Sequence, residues 1–303
     1  MAMNQTNKLV WIVETIYKSR KITFGELNAK WKDAVDLSGG DKMGKRTFHK
    51  WKNIIFDTFG IIIDCEKCAP YRYYIDNEYD MKNGSIESWL LQTYAVCNSL
   101  AESKSVKDRI LLENVPSGRE YLQPIIEAMK ANRFVHFNYF SYSSNQKSER
   151  YVFPLCVKLF RQRWYMVGRT FPKGHDAIFC LDRMSGFRVG SHTGKYPEDF
   201  SPKDYFHGSF GIINDEECEI TTIRFKVTAK QANYLRDVPL HESQKEVEKS
   251  EDYSIFTVRV RPTFDFEQEL LWNRENLEVL EPVWFRKRMA GIVKQMGKRY
   301  AGK

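Results

Sequence analysis

Long apolar runs are missing from this 303-residue sequence. No stretch approaches the ~20 consecutive apolar residues of a membrane span, and the opening MAMNQTNKLVWIVETIYKSRK has no apolar core long enough for a signal peptide. These two absences argue against membrane insertion and secretion, so a cytoplasmic protein is expected. Cysteine is sparse: six residues, at 65, 68, 97, 156, 180 and 218, share no paired spacing beyond Cys65 and Cys68. A secreted disulfide framework is thereby excluded. The lone C-x-x-C has no second C-x-x-C and no nearby His pair to complete a tetrahedral shell, so it reads as ordinary hairpin-turn sequence, and no metal or cofactor is expected. Catalytic signatures are missing as well. His136 and His207 stand in neither an H-E-x-x-H nor a G-x-S-x-G spacing, and Asp176, Asp182, Glu198 and Asp199 do not form the carboxylate cluster of a metal-dependent nuclease. The sequence is read as that of a non-enzyme.

What is present is a basic, aromatic, core-forming chain. Hydrophobic residues make up 42% and aromatic residues 14%, ample for packed cores, and 28% charged residues is near the globular average of ~25%. The formal net charge of +8 favours polyanionic partners, since Lys and Arg on phosphates release condensed counterions. Single cores stop growing near ~250 to 300 residues, so this length implies two or three domains.

The amino-terminal quarter carries the clearest pattern. Leu9, Ile12, Val13, Ile16 and Tyr17 recur at helical spacing, Thr23 caps a second short helix, and after the turn-forming DLSGGDKM the segment KRTFHKWKNIIFDTFG reads as a third helix ended by Gly60. In that helix Phe48, Trp51, Ile54, Ile55 and Phe59 form an apolar stripe. Lys45, Arg46, Thr47, His49, Lys50, Lys52 and Asn53 crowd its first half, and no acidic residue lies between Lys42 and Asn53. A recognition helix needs that split, one face in the core and polar side chains reaching base edges and phosphates. A hairpin follows, GIIIDCE and YRYYID, with Lys67 and Arg72 placed to touch the phosphate backbone. A charge run alone is more often a solvated helix face. Three helices and a hairpin in residues 1–76, in that order, favour a winged helix-turn-helix with Lys45, Arg46, Thr47, His49, Lys50 and Asn53 as its DNA contacts. Residues 77–133 then read as a helical connector, either a conformational relay or a passive spacer: Ile86 to Leu100, Arg109 to Glu113 and Tyr121 to Asn132 have helical patterning.

From Phe134 to Tyr205 the pattern changes to short alternating segments, among them VHFNYFSY, ERYVFPLCVKLF, RWYMVGRTF and DAIFCLDRM, which predict a small antiparallel barrel. Arginine and aromatic residues interleave along it, a chemistry suited to phosphates and stacked bases. Here the sequence resembles the WYL-domain family of bacterial regulators. Trp164-Tyr165-Met166 stands for the family's Trp-Tyr-Leu, preceded by Phe137, Tyr139, Arg150 and Pro154 and followed by Leu181-Asp182-Arg183-Met184. Cys180 occupies the position of the first arginine in the family's Arg-Leu-Asp-Arg, which removes one anion contact. The resemblance implies an Sm-like, SH3-type barrel whose basic groove binds a nucleotide or short single-stranded nucleic acid and thereby regulates the DNA-binding head. It implies Tyr139, Arg150, Arg169 and Arg183 as phosphate or base contacts. Trp164 and Tyr165 are also candidates, although neighbours on a strand point to opposite faces, so one of them belongs to the core. Arg183 has the alternative of an ion pair with Asp182 or another carboxylate.

Residues 221–303 mix strands and helices, ending in a basic amphipathic helix from Val283 to Tyr300, and are similar to the family's carboxy-terminal extension, which implies a ferredoxin-like module. Its cations read as a solvated face. The expectation for the whole is a multidomain α+β homodimer that regulates transcription by binding double-stranded DNA. Whether it activates or represses stays open. The rival reading is an RNA or single-strand binding accessory protein in which the barrel makes the main contact.

Overall fold

A computed structural model describes residues 2–78 and 118–302, together with 89, 90, 93, 96, 109 and 111. The chain divides into two compact units, residues 1–113 and 114–303. Of the expected connector, Trp89, Leu90, Thr93 and Val96 are helical. Ile86, Tyr94, Leu100 and most of Arg109 to Glu113 lie outside the described residues.

The first unit is built from α1 (Ala2–Ser19), β1 (Ile22–Thr23), α2 (Phe24–Asp33), the single turn α3 (Val35–Ser38), α4 (Lys45–Phe59), β2 (Ile63–Cys65) and β3 (Arg72–Ile75). Ile12, Val13 and Ile16 of α1 meet Leu27 and Trp31 of α2 and Phe48, Ile55 and Phe59 of α4 in one core. The caps follow sequence chemistry. Thr23 accepts from Glu26 N while the Glu26 carboxylate accepts from Thr23 N, a reciprocal capping box. Gly60 ends α4 in the left-handed conformation, its N–H bonded to Phe56 O. Two-residue β1 pairs antiparallel with β3, giving a three-stranded sheet of order β1-β3-β2.

The second unit begins with α5 (Arg119–Lys130) and a five-stranded antiparallel sheet: β4 (Arg133–Ser141), β5 (Gln146–Phe160), β6 (Arg163–Thr170), β7 (Asp176–Cys180) and β8 (Met184–Thr193), in the order β7-β6-β5-β4-β8. A 3-10 turn, Leu181–Arg183, joins β7 to β8. Ile125 and Ala128 of α5 are buried with Val135, Phe137, Val152, Met166, Phe179 and Leu181, so this helix, read from sequence as connector, is part of the sheet's own core. Gly168 lets β6 pass close to β5, since a Cβ there would lie 2.3 Å from Val152 Cγ1.

The carboxy-terminal part of this unit runs β9 (Thr221–Thr228), α7 (Ala229–Asp237), β10 (Lys245–Lys249), β11 (Tyr253–Val260), α8 (Phe264–Trp272), β12 (Leu277–Glu281) and α9 (Val283–Ala301), after the short α6 (Pro202–Tyr205). The sheet order is β10-β11-β9-β12, all antiparallel, with connectivity β-α-β-β-α-β. Phe225, Phe256, Phe266 and Phe285 are its largest core side chains. Among the described residues no helix is long and apolar enough to cross a membrane.

Candidate functional site

In the first unit the loop leading into α4 is held by one side chain. Asn28 Nδ2 donates to Met43 O at 2.8 Å and Asn28 Oδ1 accepts from Met43 N at 2.7 Å, which fixes the chain at the start of α4. At about 100° per residue, Arg46, His49, Lys50 and Asn53 recur at i, i+3, i+4 and i+7 and form one face, opposite the buried Phe48, Ile55 and Phe59. All six residues expected to contact DNA, Lys45, Arg46, Thr47, His49, Lys50 and Asn53, are exposed. The ion pairs of this unit include Lys18–Glu14, Lys21–Glu66 and Arg72–Glu66, and among the described residues no carboxylate pairs with Lys45, Arg46 or Lys50. In the hairpin, Lys67 is exposed at the turn, whereas Arg72 leans toward Glu66 at 3.9 Å.

The second unit holds a cavity of about 340 Å³. One side is Tyr139 of β4, Tyr165 of β6, Cys180 at the end of β7 and Arg183 of the 3-10 turn; the other is Tyr205 with the segment Ile212–Asn214. Three of the six residues expected to bind ligand, Tyr139, Tyr165 and Arg183, thus line one space. Tyr139 Oη accepts from Cys180 N at 3.2 Å and so keeps its own proton for donation. Burial holds the Tyr139 phenol above its ordinary pKa, opposed by that N–H and by the nearby Arg183 charge. Burial also pushes the Tyr165 phenol up to about 12 and the Cys180 thiol up to about 11, so all three are neutral at pH 7. Arg183 stacks on the Tyr142 ring, 3.6 Å from its centroid, and its buried Nε has no hydrogen-bond partner. Asp182 does not take it: that carboxylate pairs with Arg163, whose Nε lies 3.0 Å from Oδ2.

The other expected residues lie elsewhere. Arg169 forks onto Asp176 at 2.8 and 3.1 Å, so its charge is already met beside the cavity. Arg150 is half-buried and pairs across the ladder with Phe137, two residues from Tyr139 on the same face of β4. Trp164 is half-buried against the core under the sheet, while Tyr165 faces the cavity.

The cavity's second wall was not legible in sequence. Residues 206–218 form an irregular strap between the two sheets of this unit. Asp265, buried at the start of α8, accepts from Ile212 N (3.0 Å) and Ile213 N (3.3 Å) through Oδ2, and from Thr263 Oγ1 (2.5 Å) and Phe266 N (3.1 Å) through Oδ1. Lys158 Nζ donates to Gly211 O at 2.6 Å and sits 3.9 Å from the Phe206 ring centroid. Burial lowers the Lys158 pKa, an effect opposed by Asp265. Gly211 is needed at this crossing, because a Cβ would come 2.3 Å from Asp265 Oδ2 and 2.8 Å from Phe160 Cζ. No group of three or more His, Cys, Asp and Glu side chains suited to a metal occurs among the described residues.

Residues 120–189, which span α5 and the five-stranded sheet up to β8, match the WYL domain, and residues 219–297 match the WCX domain. No curated protein matches the sequence. Among solved structures the chain is similar to proteasome accessory factor B/C (PafBC) of Arthrobacter aurescens, with 17% identity over 94% of this chain and a TM-score of 0.36. It spans 46% of that protein's length. It is also similar to a CRISPR Cas-related protein, with 11% identity over 99% of this chain and 85% of the other, at a TM-score of 0.38. The chain carries a WYL domain over residues 120–189 followed by a WCX domain over residues 219–297.

Proposed function

We propose that this protein is a non-enzymatic, DNA-binding transcriptional regulator whose operator affinity responds to an anionic ligand of nucleotide type held by its WYL domain. The observation that carries the reading is the unpaired, exposed face of Arg46, His49, Lys50 and Asn53 opposite the core of α4. The element order around it, with the three-stranded sheet β1-β3-β2 after α4, supports a winged helix-turn-helix. The order β7-β6-β5-β4-β8 with a 3-10 turn before the last strand supports an Sm-like barrel, and the β-α-β-β-α-β module supports a ferredoxin-like one. As a homodimer, the protein sets two copies of α4 into major grooves ~34 Å apart.

Fluorescence anisotropy with the protein's own upstream duplex tests this. Each phosphate contact contributes about −0.9 to the slope of log K against log salt. The double variant Arg46→Ala, Lys50→Ala therefore flattens that slope by about 2 and weakens binding at every salt concentration. Duplex binding that is absent, or indifferent to both substitutions, refutes the reading.

One observation favours the alternative of a single-strand binder. On the face of the five-stranded sheet turned away from α5, half-buried Phe134 and Tyr151 stack at 4.9 Å and 13°, next to Phe171, His136 and His192. Phe171 and Arg188 are exposed there. Loss of oligonucleotide binding in Tyr151→Ala, with no duplex binding by the wild type, selects this alternative.

A further inference from the structure

The hairpin of β2 and β3 carries the chain's C-x-x-C, and its surroundings give the two thiols different tasks. Cys65 closes β2 directly opposite Tyr73 of β3 and is half-buried, whereas Cys68 is exposed in the turn. The ladder holds the first of them in place, since Glu66 N donates to Arg72 O at 2.9 Å. Beyond it the chain bends at Lys67 and again at Cys68, and returns with Tyr71 N donating to Cys68 O at 2.9 Å. Tyr71 is exposed in left-handed backbone, φ 53°, which an aromatic residue rarely adopts, so leaving this turn geometry relieves strain.

The neighbours of Cys65 lead to α4. Residues opposite each other on a ladder share a face, and burial, then the Cys65 sulfur beside it, hold the Tyr73 phenol above its ordinary pKa. The Tyr73 ring in turn meets buried Phe48 edge-on at 4.9 Å, and Lys52 Nζ lies 5.4 Å from its centroid. We propose that Cys65 and Cys68 are an oxidation site, a reversible dithiol–disulfide pair whose oxidants are peroxides, and that its closure loosens the seat of α4. Cys68, the accessible thiol, reacts first as thiolate. Its sulfur attacks one peroxide oxygen, the O–O bond breaks, a sulfenic acid forms, and the hydroxide released takes up the thiol's proton as water. The Cys65 sulfur then attacks the sulfenic sulfur, the S–O bond breaks, and a second water leaves with the Cys65 proton. Two thiols and one hydrogen peroxide thus become one disulfide and two waters, and a dithiol reductant reverses the change. Cys156 and Cys180, buried with thiols pushed up to about 11, do not compete. Once bonded to Cys68, Cys65 no longer flanks Tyr73, and the ring that props Phe48 and Lys52 loses its cross-strand partner. The effect on α4 matters for duplex binding only under the regulator reading, on which that part rests; the oxidation itself does not.

The test uses the full-length protein, reduced, desalted and exposed to hydrogen peroxide. The proposal expects an intact mass lower by two hydrogens, a Cys65–Cys68 link in the non-reduced peptide map, and recovery of both thiols with dithiothreitol. Trypsin cutting after Lys67, inside the linked loop, leaves two pieces that part only on reduction. The oxidised protein binds its upstream duplex about two- to fivefold more weakly than the reduced one, the worth of one cross-strand pair. Cys68→Ser binds duplex like the reduced wild type and ignores peroxide. Tyr73→Leu, verified as folded by circular dichroism, still forms the link, but its two forms bind duplex alike. Chains joined to one another in place of the internal link, Cys68 carried on to sulfinic acid with Cys65 still free, or equal and measurable duplex affinity of the two wild-type forms overturns the proposal. Should the link form while even the reduced protein shows no duplex affinity, the regulator reading fails and the oxidation site stands.

Discussion

Asp265 is the residue on which the strap depends, and replacing it by asparagine gives a perturbation whose size can be worked out. Each carboxylate oxygen serves two donors: Ile212 N and Ile213 N on one, Thr263 Oγ1 and Phe266 N on the other. An amide keeps only one accepting oxygen. The best rotamer turns that oxygen to the strap, whose two N–H groups have no alternative, and turns the NH2 toward Thr263 and Phe266. The threonine hydroxyl can rotate to accept, but Phe266 N–H is left facing a donor, and two strap bonds change from a charged to a neutral acceptor. One orphaned N–H and two weakened bonds cost about 2 kcal/mol, whereas Asp265→Ala removes every acceptor and costs about 3 to 5 kcal/mol. Chymotrypsin reports the opening, since Phe206 and Phe210 lie in the strap. When reclosing outpaces cleavage, the rate of cutting follows the open population, and about 2 kcal/mol corresponds to a rise of about 30-fold. A strap in Asp265→Asn cut within about threefold of the wild-type rate, or an alanine variant no more labile than the asparagine one, refutes the account.

Three other outcomes follow from local geometry. Gly168→Ala drives a methyl to 2.3 Å from Val152 Cγ1 and 3.0 Å from Phe153 O, so the urea midpoint of the second unit falls by the equivalent of about 1 to 3 kcal/mol; an unchanged midpoint contradicts the close approach. Toward Ellman's reagent at pH 8, exposed Cys68 reacts ahead of Cys156 and Cys180, which are buried with thiols pushed up to about 11 and react only on unfolding; peptide mapping of early adducts checks the order. Because the native Cys180 and Tyr165 pKa values lie above their ordinary 9.0 and 10.0, at about 11 and about 12, the fold prefers both neutral. Their contribution is full below about pH 9 and is lost as pH rises through 11 and 12, so Tm declines in that window, and Cys180→Ser flattens the part between 9 and 11.

Much of the first unit was legible because its signals are local. A cap such as Thr23, a left-handed terminator such as Gly60 and a stripe such as Phe48, Ile55 and Phe59 are each written within a few residues. Strands β4 to β8 were legible for the same reason, their alternation reflecting one buried face. The elements that escaped have no such local mark. β10 has every residue exposed, so no burial alternation announces it, and β1, two residues long, exists only through its pairing with β3. The helix Arg119–Lys130 was readable as a helix, but its place in the core under β4 depends on contacts made by Ile125 and Ala128 across the fold. At the cavity, sequence marked Tyr139, Tyr165 and Arg183 through their resemblance. It gave no hint of the strap, whose role comes from a carboxylate more than 50 residues further along the chain. Nor did it distribute the ion pairs: Asp182 chose Arg163 over its neighbour Arg183, and Arg169 was already committed to Asp176.

The exposed strand β10 reads Lys-Glu-Val-Glu-Lys, the same in either direction. Such a palindrome has a consequence for self-association. If two copies met edge to edge about a twofold axis at Val247, antiparallel pairing would set Lys245 opposite Lys249 and Glu246 opposite Glu248, each charge facing its like. Like charges directly opposite on a ladder are destabilising, so the symmetry that usually makes an open sheet edge a dimer seam works here as a barrier, and leaves the edge safe from growing into a continuous sheet.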